Sequence, residues 1–432
     1  MKRNFNRIIV IAIVASVLNV GMVPVFASDI TQNPNIYEVV QAQANANTIL
    51  TLDDAIKSAI SISEILALDE KKISYTNKIN DVNKQIDDDP QMVGKQEIPL
   101  PDNRKDLNDD TRDVKLKQCK QQRDFDEDKL IQNVTNAYND LVTSQMRIAK
   151  LKKDIELKNE ELNITKIKNS IGSATDVDVD ASSNSLEDLK SKLKSSESSL
   201  KDLQYNFKVL TDKDLMKYSL DQNIKYGVFK IDGSIDEYLD NVVENYLKYS
   251  TQLVQLNKKY FNDSDNKVDD IPDSDKPSDA MPVLSTSTDD IAENLKAYEE
   301  YQGSLDKYYQ ERYMYAFKLS TRLGYLNGKL GTYEGETNLD ETKKQFKEQL
   351  RNFYTMLTTT EDSINLLKKN IELTNKQLRI ANVRYDTGLM TKVDYDHLVV
   401  NSKDLDIQLR SAIDRYNTLK EEIQKPWIAF SK

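Results

Sequence analysis

The stretch Ile171-Gly172-Ser173-Ala174-Thr175-Asp176-Val177-Asp178 has a counterpart 216 residues later, within Arg384-Tyr385-Asp386-Thr387-Gly388-Leu389-Met390-Thr391-Lys392-Val393-Asp394. Gly172, Thr175, Val177 and Asp178 fall on Gly388, Thr391, Val393 and Asp394. The match runs outward without a gap. Asn136 and Tyr138 fall on Asn352 and Tyr354, Leu141 on Leu357, Ile148 on Ile364, and Ile155-Glu156-Leu157 on Ile371-Glu372-Leu373. Beyond the glycines, Leu189 and Leu193 fall on Leu405 and Leu409. Shared low complexity does not produce one gapless register that includes the only glycine of each segment. A weaker repeat precedes each copy. Leu50-Thr51-Leu52-Asp53-Asp54 resembles Gly233-Ser234-Ile235-Asp236-Glu237, each an N-cap followed by acids of a first helical turn.

The repeat has a helical period. Ile148, Ile155 and Leu162 step by seven, as do Ile364, Ile371, Leu378 and Tyr385. A second set, Leu157, Ile164 and Ile171, is matched by Leu366, Leu373 and Ile380. The two sets are offset by two residues, about 200° round a helix. A two-stranded coiled coil needs one seam; two opposed seams suit a helix with a neighbour on each side, as in a curved wall. After each glycine an apolar stripe resumes, through Leu186, Leu200 and Phe207 in one copy and Leu398, Tyr416 and Ile423 in the other. The expected fold is all-α: long antiparallel helical hairpins in two internal repeats, residues 49–217 and 218–424, followed by a tail, 425–432. The first long helix is expected from about Asp126 to Ser170. Two polar segments, 86–110 and 261–290, read as flexible loops. A third break is expected at Gly328 to Glu336.

Composition supports helices. Glycine and proline number 11 and 9 of 432 residues, too few for a strand-rich or loop-rich protein. Charged residues reach 30%, which suits helices that bury only stripes. One cysteine (Cys119) and one histidine (His397) exclude a disulfide framework and cysteine- or histidine-rich metal sites. No catalytic dyad or phosphate-binding loop is present, so neither enzyme activity nor a cofactor is expected. Residues 1–27 read as a secretory signal peptide: basic Lys2, Arg3 and Arg7, an apolar run from Ile8 to Leu18, and Val25-Phe26-Ala27 before Ser28. Residues 28–48 read as a linker. The expected location is the cell envelope, and the net charge of −11 argues against a nucleic-acid partner.

From about Leu50 to Ile423 this organisation resembles the TolC-like outer-membrane efflux protein family. The carrying residues are Leu50-Thr51-Leu52-Asp53-Asp54-Ala55 and the doubled tip, which is similar to a pattern Tyr-x-x-Gly-x-x-Thr-x-x-Asp-Val used twice per chain. The resemblance implies a homotrimer whose twelve long helices form a hollow α-helical barrel closed at the glycine-bearing tips. It implies that the tips meet a periplasmic adaptor protein serving an inner-membrane pump. By the same carry-over, Gly172, Gly388, Thr175 and Thr391 are adaptor-docking positions, and Asp178, Asp394 and Tyr385 are tip-closure positions. The chain departs from the pattern at Met390, where the family can carry a basic residue, and at His397, where it can carry a further acid.

Each of these residues also has a plain structural reading. The glycines can supply φ > 0 at a helix end, the acids can favour a helix dipole, and Tyr385 can continue an apolar stripe. His397 reads as a seam or solvated residue, Cys119 as an inert helix residue, and Asp263 to Asn266 as a solvated linker. The family's barrel strands are doubtful here. The best candidate, Met92 to Leu100, contains Lys95-Gln96-Glu97 and Pro99, and the second polar segment is dense in aspartate. The function expected is an envelope conduit subunit for efflux or secretion. The alternative is a non-transporting extracytoplasmic scaffold that docks envelope partners.

Overall fold

The computed structural model describes residues 49–285 and 289–430; the expected signal peptide and linker lie outside the described residues. In chain order the elements are β1 (Ile49–Leu50), α1 (Leu52–Ile62), α2 (Glu64–Asp88), β2 (Gln91–Val93), β3 (Gln96–Ile98), α3 (Asp102–Ser170), α4 (Asp176–Thr211), β4 (Ser219–Leu220), α5 (Ile235–Tyr246), α6 (Lys248–Asn262), α7 (Ile291–Asp386), α8 (Lys392–Gln424) and α9 (Trp427–Phe430). The all-α hairpin architecture is as expected. Among the described residues no strand exceeds three residues and no barrel closes: β1 pairs with β4 in parallel and β2 with β3 antiparallel.

The chain divides into two compact units, and each draws on both repeats. The first comprises described residues 71–120, 247–285 and 289–344. Here α2 and α3 run antiparallel, tied by Arg112 to Asp87 (2.6 Å) and Lys105 to Asp88 (3.1 Å). Three expectations are corrected in this unit. The break at Gly328 to Glu336 does not exist, because α7 passes through it. A methyl group on Gly328 would lie 2.1 Å from the Phe261 ring of α6, so the glycine admits a close helix approach that offsets its low helix propensity. The loop at 86–110 is shortened from both ends, by α2 running to Asp88 and α3 starting at Asp102. What is left is the β2–β3 hairpin, turned by Gly94 at φ +64°, the backbone that a two-residue turn with glycine first requires. Gln310 of α7 holds this turn: its amide donates to the Val93 carbonyl (2.9 Å) and its side-chain oxygen accepts from Lys95 N–H (2.8 Å). The segment after α6 is not a free linker either. Three ion pairs fasten it to α7 in antiparallel order: Asp270 to Arg322 (2.6 Å), Asp275 to Lys318 (3.0 Å) and Asp279 to Arg312 (3.4 Å).

The second unit comprises described residues 49–70, 121–246 and 345–430. Its core gathers Leu50, Ala55 and Ala59 against Val134, Tyr138, Leu141 and Val142 of α3, Phe207 of α4, and Leu220. Tyr138 is buried, and its hydroxyl donates to the Leu50 carbonyl (2.8 Å) and lies 3.1 Å from the Asp221 carbonyl. One side chain therefore serves the carbonyls at the end of the β1–β4 pair. Thr51 caps α1 by accepting from Asp54 N–H (3.2 Å), as the weak repeat predicts. The C-terminal residues form a clasp. Trp427 stacks on Phe125 (4.3 Å) and donates to Asp128 (3.0 Å), while Lys425 pairs with the other Asp128 oxygen (2.8 Å). Expectation placed the start of the first long helix near Asp126; it begins 24 residues earlier, at Asp102.

Candidate functional site at the two hairpin tips

The two glycine turns are the same motif built twice. At the end of α3, Gly172 N–H donates to the Asn169 carbonyl (2.9 Å) and Ser173 N–H to the Lys168 carbonyl (2.8 Å). At the end of α7, Gly388 N–H donates to Tyr385 (2.9 Å) and Leu389 N–H to Arg384 (2.8 Å). This is the Schellman pattern, which places its residue after the cap in the left-handed region. Gly172 and Gly388 have φ of +73° and +75°, and nothing lies within 4 Å of a methyl group added to either. The requirement for glycine is thus conformational, not steric. Gly172→Ala and Gly388→Ala should each cost about 1 kcal/mol in thermal unfolding while leaving the helical circular dichroism unchanged.

Three residues on, each turn starts the next helix the same way. Thr175 caps α4: Asp178 N–H donates to its oxygen (3.2 Å), and Asp178 accepts from Thr175 N–H (2.8 Å) and from the Thr175 hydroxyl (2.8 Å). Those bonds, the backbone one first, hold the Asp178 carboxyl below its usual range. Thr391 caps α8: Asp394 N–H donates to it (3.1 Å), and its hydroxyl donates to Asp394 (2.6 Å). Both threonines and both acids therefore have local bonds that build the turn. Tyr385 does not continue into a buried stripe. It stacks on Tyr395 across its own turn, with ring centroids 5.4 Å apart and planes 9° apart. What the turns leave to solvent is apolar: Ile171, Val177 and Leu389 are 71–80% exposed.

The structure brings the two hairpins together along α3 and α8, which lie antiparallel. Lys392 reaches Glu160 (3.2 Å), His397 Nε2 contacts Glu161, Lys150 reaches Asp404 (3.2 Å), and Asn139 donates to Asp414 (2.6 Å). Lys392 opens α8, but Glu160 lies ten residues before the end of α3. The first tip consequently projects roughly 15 Å beyond the second. Burial pushes the Glu161 carboxyl up, but hydrogen bonds from Lys158 and His397 outweigh it and hold the group low. His397 is a seam residue, one of its two sequence readings. Arg410, buried on α8, donates to Asn139 (3.0 Å) and to the Gln222 carbonyl. The cluster of Asn139, Arg410 and Asp414 was not found from the sequence, because its members lie some 270 residues apart and share no motif.

No family model matches the sequence, and no curated protein matches it. Solved structures do. The chain superposes on the Campylobacter jejuni CmeC outer membrane channel at 13% identity, with a TM-score of 0.52 over 93% of this chain and 94% of that one. The open state of the Neisseria gonorrhoeae MtrE outer membrane channel gives 11% identity and 0.53 over 87% and 88%. The outer membrane protein VceC from Vibrio cholerae gives 11% and 0.51 over 87% and 96%. The fold is that of the TolC-like outer-membrane channels. At these identities the likeness is one of fold. Where the resemblance would place barrel strands, this chain carries a hairpin of three-residue strands and an ion-paired segment on α7. Among the described residues no helix is long and apolar enough to cross a membrane.

Proposed function

We propose that the chain is a subunit of a TolC-like envelope conduit for efflux or secretion, working with an adaptor and an inner-membrane pump. The observation that carries this reading is the open second seam of α7. Ile364 of the first seam is fully buried, whereas Leu366, Leu373 and Ile380 of the second are 56–59% exposed at seven-residue spacing. A helix that is covered on one flank and apolar on the other calls for a further neighbour, and a homotrimer supplies one. The exposed apolar residues of the tips fit an adaptor surface, with Gly172, Gly388, Thr175 and Thr391 shaping it. Asp178, Asp394 and Tyr385 stand where closure would act. The short strands favour a conduit without a membrane barrel of its own, held in the envelope by its partners.

A deletion strain should accumulate more of at least one exported compound. The wild-type gene should restore export, and a Val177→Glu, Leu389→Glu double variant, which keeps both turns intact, should not. Unchanged accumulation and secretion in the deletion strain would favour the scaffold alternative.

A further inference from the structure

Between β4 and α5, residues 221–234 form no helix or strand and join one repeat to the other. This strap lies on α8, and three side chains of α8 hold it. Arg410 donates to the Gln222 carbonyl, Asn417 donates to the Lys225 carbonyl (2.8 Å), and the Tyr416 hydroxyl accepts from Phe229 N–H (2.7 Å). The last two anchors are neutral, and the Tyr226 ring packs edge-on against Tyr416 beside them (5.1 Å). The first anchor is charged and is built differently. Arg410 is 5% exposed, and its Nε is enclosed and hydrogen-bonds to nothing among the described residues. A buried donor without an acceptor destabilises the fold unless a partner can reach it. One is near, since Asp414 lies one turn further along α8. Asn139 of α3 stands between the two: it accepts from Arg410 Nη2 (3.0 Å) and donates to Asp414 (2.6 Å).

We infer that Arg410 is a proton-dependent latch on the strap: it holds the Gln222 carbonyl while Asp414 is protonated and turns to Asp414 when that carboxyl ionises. Against a neutral Asp414, a backbone carbonyl is the better acceptor for the guanidinium. An ionised Asp414 accepts from Nε and Nη2 together, and a charge-assisted bidentate pair outweighs one bond to a neutral carbonyl. Nη2 carries a second hydrogen and keeps Asn139. Forming the pair turns the guanidinium off the Gln222 carbonyl. The groups around Asp414 set where the exchange falls. Burial raises its carboxyl to about 6; Asn139 opposes this, Asp140 of α3 adds to it and Arg410 opposes it. Burial also raises Asp140, against the pull of Arg147. Arg410 in turn faces Asp221 of the strap and Tyr138 of α3. From α7, Glu361 and Lys368 meet the neutral anchors, at the Tyr416 hydroxyl (3.3 Å) and the Tyr226 ring (4.3 Å). The strap is therefore fastened at both ends below about pH 6 and only at its far end above it.

Hydrogen exchange read at two windows of the strap provides the test. Asp221 N–H donates to the Leu50 carbonyl (3.3 Å) and Asn223 N–H to the Asp221 carboxylate (3.0 Å), so residues 221–224 report the latch. Phe229 N–H reports the neutral anchors. After correction for the intrinsic exchange rate, protection at 221–224 should fall about fivefold from pH 5 to pH 7.5, with a midpoint near 6. Protection at Phe229 should stay level. Asp414→Asn should keep the first window protected at both pH values, and Arg410→Gln should leave it unprotected at both. The wild type and Asp414→Asn decide the matter even where Arg410→Gln does not fold. Protection at 221–224 that ignores pH, or that falls equally in Asp414→Asn, would overturn the latch. A parallel loss at Phe229 would overturn it too, since that marks a loosening of the whole joint.

Discussion

Replacing Tyr138 with alanine should lower the stability of the second unit by about 3–5 kcal/mol, the range for deleting a fully buried aromatic side chain. The ring lies at the centre of the core, 6.2 Å from Phe207, and its hydroxyl serves the Leu50 and Asp221 carbonyls. Tyr138→Phe keeps the ring and removes only the donor, so it should cost about 1–2 kcal/mol, the loss of a buried hydrogen bond that leaves the Leu50 carbonyl with the Asp221 N–H alone (3.3 Å). Chemical denaturation followed by the fluorescence of Trp427 is the measurement. Trp427 is the only tryptophan and stacks on Phe125 in the same unit. Equal losses for the two variants would show that the hydroxyl, and not the packing, carries the effect.

Asp414→Asn should stabilise the protein at neutral pH and do nothing at pH 4. Burial beside α3 pushes the Asp414 carboxyl from 3.8 up to about 6; the hydrogen bond from Asn139 opposes this, the nearby Asp140 adds to it, and Arg410 opposes it. A carboxyl raised in the folded state gives a penalty of a definite sign. Below pH 3.8 both states hold the proton and there is none. As pH climbs from 4 to 6 the unfolded chain releases its proton while the folded chain keeps it, so stability falls. Above 6 the full penalty remains. Two units correspond to at most about 3 kcal/mol, and partial solvent access brings the expected gain of the variant to about 1–2 kcal/mol at pH 7.5. Asparagine can still accept the Asn139 hydrogen bond. Stability curves of wild type and variant that stay parallel from pH 4 to 7.5 would refute this.

The tips were legible in the sequence because everything that makes them is local. A glycine, a threonine three residues later and an acid three residues after that build a complete turn with no outside help, and each occurs twice in one register. The heptad steps of Ile148 and Ile364 likewise announced helices with buried flanks. The continuity of α7 was not legible, since Gly328 reads as a breaker until Phe261 is seen lying on it. The same holds for the polar segments. Asp270, Asp275 and Asp279 read as part of a flexible loop until their partners on α7, 33 to 52 residues away, are in view. The contacts between hairpins were out of reach altogether. Nothing in the surroundings of Asn139 points to Arg410, and the stagger of the two tips depends on a register between helices that the repeat, symmetric by construction, does not contain.

The rungs between α3 and α8 differ in kind from the bonds inside each hairpin. Parting α3 from α4 would bring Tyr138 and Phe207 into water together, a single large step. The α3–α8 rungs are separate polar contacts, from Asp128 with Lys425 to Glu160 with Lys392, spaced along the helices. Water can replace the exposed ones in turn at a cost of about 1 kcal/mol or less each, while the buried Asn139–Arg410 bond holds the middle. The joint is thus a zipper whose teeth release singly: stiff against separation all at once, compliant to slip begun at the exposed end, where Lys392 and His397 are the first teeth.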